Sequence, residues 1–153
     1  MLVDVFTFLP CAPHEVIKHV KTPRLLMHVA HPLVRFIPRD PAQLPETWAE
    51  GTYWMSLYLF GFIPFGKQAV VITYPNPSNG FSIRDNGHSA LIKKWDHAIT
   101  VESSANGTLY RDRVIIEAGL FTPFIWLFAQ VFYRHRQRRW RQLVASGFRY
   151  AAP

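Results

Sequence analysis

Residues 90–117 read ALIKKWDHAITVESSANGTLYRDRVIIE, and the alternation within this stretch decides the fold. A two-residue turn at Asn106-Gly107 predicts a hairpin in which Ala105 faces Thr108, Ser103 faces Tyr110, Val101 faces Asp112 and His97 faces Ile116. Successive strand residues point to opposite faces. One face therefore collects Leu91, Lys93, Trp95, His97, Ile99 and Val101 with Tyr110, Asp112, Val114 and Ile116. The other carries Lys94, Asp96, Thr100, Glu102, Arg111, Arg113 and Glu117, which belong in water. His97 and Asp112 are thus expected to point inward among apolar neighbours.

Beyond the hairpin the period changes from strand to helix. Thr122 suits an N-cap, Pro123 the first helical position, and Gly147 the residue just past the end. At about 100° per residue, Ile125, Ala129, Phe132, Tyr133, Trp140, Leu143 and Val144 share one stripe, and Arg136 falls within it. Arg134, His135, Arg138 and Arg141 fall off it. The short connection makes the helix run back along the last strand. From Pro123 to Arg136 the rise is about 20 Å, roughly six strand residues, which sets Arg136 over the neighbourhood of Asp112. An arginine on an apolar stripe needs a partner, and Asp112 is placed to be one.

Upstream, Thr52–Phe60 and Gln68–Tyr74 read as strands separated by Gly61–Gly66, and Phe81–Arg84 reads as a short strand ended by the turn residues Asp85-Asn86-Gly87. Val3–Phe8 is a further strand, and Leu33–Ile37 another. Between them, two short helical patterns break at Thr22-Pro23. Pro38, Pro41 and Pro45 mark an irregular connection. Strands and helices segregate along the chain, so the class is α+β.

This order, together with the tract Gly107-Thr108-Leu109-Tyr110-Arg111-Asp112-Arg113-Val114, then Glu117-Ala118-Gly119, then Phe132 to Trp140, resembles the START/SRPBCC superfamily. That superfamily includes lipid-transfer domains, pollen-allergen-type proteins and polyketide aromatase/cyclases; the tract itself is similar to bacterial SRPBCC proteins of poorly defined function. The resemblance spans essentially the whole chain and implies one helix-grip domain over residues 1–153. It implies a curved antiparallel sheet of six to seven strands around a long C-terminal helix, two short helices after the first strand, and a deep apolar cavity between sheet and helix.

The composition agrees with an aromatic interior: aromatic residues make up 15% of the chain, with twelve Phe, six Tyr and five Trp. The faces assigned above nominate Trp54, Tyr58, Phe60, Val70, Ile72, Trp95, His97, Ile99, Tyr110, Asp112, Val114, Ile125, Ala129, Phe132 and Arg136 as the wall. The function expected is binding or carriage of an apolar small molecule, lipid-like, acyl or aromatic. The alternative is an aromatase/cyclase-type enzyme acting on a polyketide-like substrate in the same cavity. Its catalytic candidates are His97 as acid or base, Asp112 as its orienter or an acid, and Arg136 stabilising enolate charge.

Other classes find little support. One cysteine, Cys11, excludes an internal disulfide framework and a cysteine-rich zinc site. His28 and His31 share a face without a third ligand at metal spacing, so no metal is expected. No phosphate-cradling glycine loop or glycine-flanked serine appears, and no cofactor is expected. The formal charge of +7 is local: six arginines from Arg134 to Arg149 lie without an acid among them, leaving eleven basic residues against ten acidic elsewhere. That cluster allows weak contact with an anionic membrane surface; nucleic acid is not expected to be the partner. Phe124, Leu127, Phe128 and Val131 lie on the helix face away from the stripe and are expected to be covered by residues 38–49 or 61–66, or else to meet a membrane or a second copy. Met1-Leu2-Val3-Asp4 puts an acid where a secretory signal carries positive charge, and the uncharged run 118–133 is shorter than the roughly 20 residues of a membrane span, so a cytoplasmic monomer or homodimer is expected.

Overall fold

A computed structural model of the chain describes residues 1–150; positions 151–153, the end of the expected domain, lie outside the described residues. Strand β1 (Leu2–Leu9) buries Val3, Val5, Thr7 and Leu9 in strict alternation. Helices α1 (Pro13–Val20) and α2 (Pro23–Ala30) each begin at a proline, where the missing N–H leaves no helical bond unmade. Thr22 caps α2 by accepting from the Leu25 N–H. Strands β2 (Val34–Asp40), β3 (Gly51–Leu59), β4 (Ile63–Thr73), β5 (Phe81–Ser89), β6 (Lys94–Ser104) and β7 (Gly107–Glu117) follow, then a 3₁₀ turn and α3 (Thr122–Ala145).

The seven strands form one antiparallel sheet in the order β1-β7-β6-β5-β4-β3-β2. Consecutive strands from β2 to β7 are neighbours, and β1 joins at the far edge beside β7. Helix α3 packs on β1, β7 and α2, burying Ile125, Ala129, Phe132, Tyr133, Arg136, Gln137, Trp140 and Leu143. This is an α+β helix-grip fold. Among the described residues no helix is long and apolar enough to cross a membrane.

Three local expectations require correction. The hairpin turns at Ala105-Asn106: Ser104 pairs with Gly107, Val101 with Tyr110, Ile99 with Asp112 and His97 with Val114. The register differs from expectation by two residues, an even shift that leaves every side chain on its assigned face. Asn106 takes the positive φ of 63°. Gly107 serves close approach instead, since a Cβ there would lie 2.5 Å from the Leu9 carbonyl oxygen and 2.7 Å from the Phe8 ring. Asp85-Asn86-Gly87 is no turn but the middle of β5, paired with His97, Asp96 and Trp95. The chain reverses further on, where the Ser89 N–H donates to the Ile92 carbonyl at 2.7 Å. Ladder pairing on this strand outweighs the local turn preference of Asp-Asn-Gly. Finally, Thr122 lies inside the first turn of α3, its hydroxyl accepting from Ala118 N–H at 2.8 Å and donating to the Gly119 carbonyl at 2.7 Å. At the other end Gly147, at φ 70°, lets the Phe148 N–H reach the Leu143 carbonyl at 2.8 Å and close the helix.

Candidate functional site

A cavity of about 430 Å³ lies between the sheet and α3, within the range of small-molecule sites. Its wall is mostly apolar: Leu26 and Val34 from the short-helix side, Leu57, Leu59, Phe65 and Val70 from β3 and β4, and Ile125, Phe128 and Phe132 from α3. Phe121 and Phe124 stand where the cavity meets solvent; Phe124 is 74% exposed. The opposite end is polar, with Gln68, Asp85, His97, Tyr133 and Arg136. Asp85, His97 and Arg136 also line a second, smaller void of about 50 Å³, so they border both spaces.

Beneath that polar end lies a satisfied carboxylate. Asp112 is fully buried and Oδ1 accepts from His97 Nε2 at 2.8 Å and from the Tyr110 hydroxyl at 3.1 Å. Gln137 Nε2 donates to Oδ2 at 3.2 Å and to the Val5 carbonyl at 2.9 Å, tying α3 to β1. Arg136 Nη2 stands 4.0 Å from Oδ1. Burial opposes ionisation of Asp112, but the His97 hydrogen bond and the Arg136 charge outweigh it and hold the carboxyl below its ordinary range. Burial pulls His97 down in spite of Asp112, so the ring is neutral at pH 7 and Nε2 carries the hydrogen it donates. Burial raises Tyr110 and Tyr133, which keep their protons. The guanidinium of Arg136 lies over the Tyr133 ring at 5.2 Å and the Phe132 ring at 5.7 Å, and its Nε has no partner among the described residues.

Of the residues nominated from sequence, Val70, Trp95, His97, Ile125, Phe132 and Arg136 line the cavity, and Ile72 and Ile99 line the smaller void. Tyr110, Asp112, Val114 and Ala129 are buried behind that wall. Trp54, Tyr58 and Phe60 are corrected: β3 turns Tyr53, Met55 and Leu57 inward, the opposite phase. Trp54 sits beside Ala69 on the outer face, edge-on to the His88 ring at 5.6 Å. Phe60, at φ 53° after the strand, is half-exposed along a separate surface groove with Met27 and Arg35. The expected cover over the outer face of α3 is also absent, because Leu127 and Val131 are exposed; Phe128 turns into the cavity instead.

Two polar wall residues escaped the sequence reading. Gln68 shares the inward phase of Val70 and Ile72, a signal that was present. Asp85 sits in the turn-like triplet Asp85-Asn86-Gly87, yet Ile83 and Asp85 continue the same alternation. Burial lifts the Asp85 carboxyl to about 7, the Val71 N–H bond and the Arg136 charge offsetting only part of it.

An open antiparallel sheet closed over a long helix around an apolar cavity defines the class, and solved structures share it. The AHSA1 protein from Silicibacter pomeroyi superposes with TM-score 0.68 at 14% identity, covering 96% of this chain and 99% of that one. A START superfamily protein from Mycobacterium smegmatis gives 0.61 at 11% identity, covering 95% and 97%. The Aha1 dimer from Colwellia psychrerythraea gives 0.60 at 9% identity, covering 94% and 96%. At these identities the likeness is one of fold. The chain belongs to the family described as a domain of unknown function, DUF8410, whose model matches residues 7–144. No curated protein matches it.

Proposed function

We propose that this chain is a single cytoplasmic domain that binds and carries an apolar small molecule, lipid-like, acyl or aromatic, in the cavity between sheet and α3. The observation that carries the reading is the cavity itself, about 430 Å³ with an apolar body and one polar end. Burying apolar ligand surface contributes about 25 cal/mol per Å², and the few polar groups at one end fix which way round the ligand lies. Native mass spectrometry of protein purified from its own host tests this. The expected result is an adduct of a few hundred daltons (order of magnitude) that leaves on unfolding. Bare protein, with no uptake of apolar probes by the folded chain, would remove the reading.

The second reading is an aromatase/cyclase-type enzyme. It is favoured by one observation, the His97–Asp112 hydrogen bond at the cavity wall. His97 would move the proton, Asp112 orient the ring, and Arg136 stabilise enolate charge. Genes for a ketosynthase or carrier protein beside this one, with turnover lost in His97→Ala, would select it over carriage.

A further inference from the structure

Asp85 is a polar wall group with an oxygen still to spend on a ligand. Its Oδ1 accepts the Val71 N–H at 2.8 Å, no hydrogen bond to Oδ2 occurs among the described residues, and the residue lines the cavity. The groups facing Asp85 are few. From β6 come the neutral His97, its register partner, and Asp96, which points to the outer face and pairs with Arg84 at 2.7 Å. From α3 come Arg136 and Tyr133, and from β4 the uncharged Gln68 amide and the Val71 N–H. The Trp95 indole donates to the Tyr133 oxygen at 3.2 Å, leaving the phenol hydrogen free to point elsewhere.

The charges at this end decide what it can accept. Among the described residues Arg136 is the one cation on the wall, and Asp112 at 4.0 Å already balances it. A ligand carboxylate would add a second anion against that single guanidinium. An ammonium would bring a second cation beside Arg136 and require Asp85 to ionise, holding four charges in an apolar enclosure. A neutral ligand leaves only the existing pair, the arrangement with the least desolvation cost. Resting on the binding reading above, we propose that the cavity takes a neutral ligand whose apolar skeleton ends in a carbonyl or hydroxyl oxygen, and that protonated Asp85 donates from Oδ2 to that oxygen. A carboxyl kept neutral by an apolar site so that it can donate is a known device of protein cavities. Because burial lifts Asp85 to about 7, the donor form is lost as pH rises through neutrality, and affinity falls with it.

Three probes on one skeleton test this: 2-acetylnaphthalene, 2-naphthoate and 2-(aminomethyl)naphthalene, titrated calorimetrically and by quenching of protein tryptophan fluorescence. The ketone should bind most tightly, with Kd rising about tenfold from pH 6 to pH 8, as a single group of that pKa requires. Asp85→Asn keeps a donor without the titration, so ketone binding should persist with a flat pH profile. Asp85→Leu should weaken it about tenfold or more at pH 6, the loss of one hydrogen bond in a dry site. Equal or tighter binding of naphthoate or the amine would overturn the proposal, as would a wild-type pH slope surviving in Asp85→Asn or an unchanged ketone affinity in Asp85→Leu. Either result leaves the cavity-binding reading standing. If none of the three probes binds the folded wild-type protein at any pH, both fail together.

Discussion

Arg136 carries a full positive charge at a position only 5% exposed. Burial works against that charge, and the nearby Asp112 outweighs it, with Tyr110 and Tyr133 adding to the same effect. Removing the guanidinium leaves Asp112 buried with neutral donors alone, a loss of about 3 kcal/mol or more for a broken buried pair. In a chain of this size that is a fall of roughly 6–12 °C in Tm. Arg136→Ala should therefore melt far below Arg138→Ala, whose side chain is exposed and whose loss should stay within about 0.5 kcal/mol. Asp112→Asn should resemble Arg136→Ala. Thermal melts followed by circular dichroism check all three; equal small shifts would mean that the Arg136 charge is not held by Asp112. This pair was legible in the sequence because two independent periods, of 2 and of 3.6 residues, point the two side chains at one another. Asp85 was not, because Asp-Asn-Gly is good turn chemistry in isolation and only pairing with β6 keeps it extended.

Among the elements, the β6–β7 hairpin and the second half of α3 were readable for the same reason: charged residues mark the outer face and mostly apolar ones the inner. Strand β3 lacks that contrast. Tyr53, Met55 and Leu57 on one phase alternate with Trp54 and Tyr58 on the other, all large, so that only Thr52 and Ser56 mark the second phase as the outer one. Register with β4 settles it, since the inward Gln68, Val70 and Ile72 fix the phase of their neighbour. The glycines divide in a similar way. Gly107 has negative φ but no room, whereas Gly61 has φ 84° and open space where a Cβ would go. Gly107→Ala should force β1 and β7 apart at a cost of about 1–3 kcal/mol, with amide exchange quickened along Phe8–Leu9. Gly61→Ala should cost about 1 kcal/mol of backbone strain and leave exchange at Phe8–Leu9 unchanged. The opposite pattern of exchange would show that the close approach at Gly107 is not limiting.

At the scale of the whole molecule, part of the uncovered apolar surface lies on one side of α3. Leu127 and Val131 are more than half exposed, and the same helix face continues into the exposed Arg134 and Arg138. Apolar residues beside arginines suit weak contact with anionic lipid, worth about 1 kcal/mol per arginine near the surface. Co-sedimentation should be measurable with phosphatidylserine-containing vesicles, fall as salt is raised, and drop further in Leu127→Asp. Equal sedimentation with purely zwitterionic vesicles, or none with either, would discard the contact.

The strand order has a consequence for how this molecule comes into being. Leu2–Leu9 pairs only with β7, over a hundred residues later, and Gln137 of α3 binds the Val5 carbonyl as well. The first strand therefore waits, unpartnered, until β7 has been made, while β2 to β7 can zip up neighbour by neighbour. The ladder between β1 and β7 closes the longest loop of any strand pair in the sheet and is the last of them to be rewarded. The cavity, whose wall needs α3 seated against the completed sheet, exists only once β1 has joined β7 and α3 has docked on both.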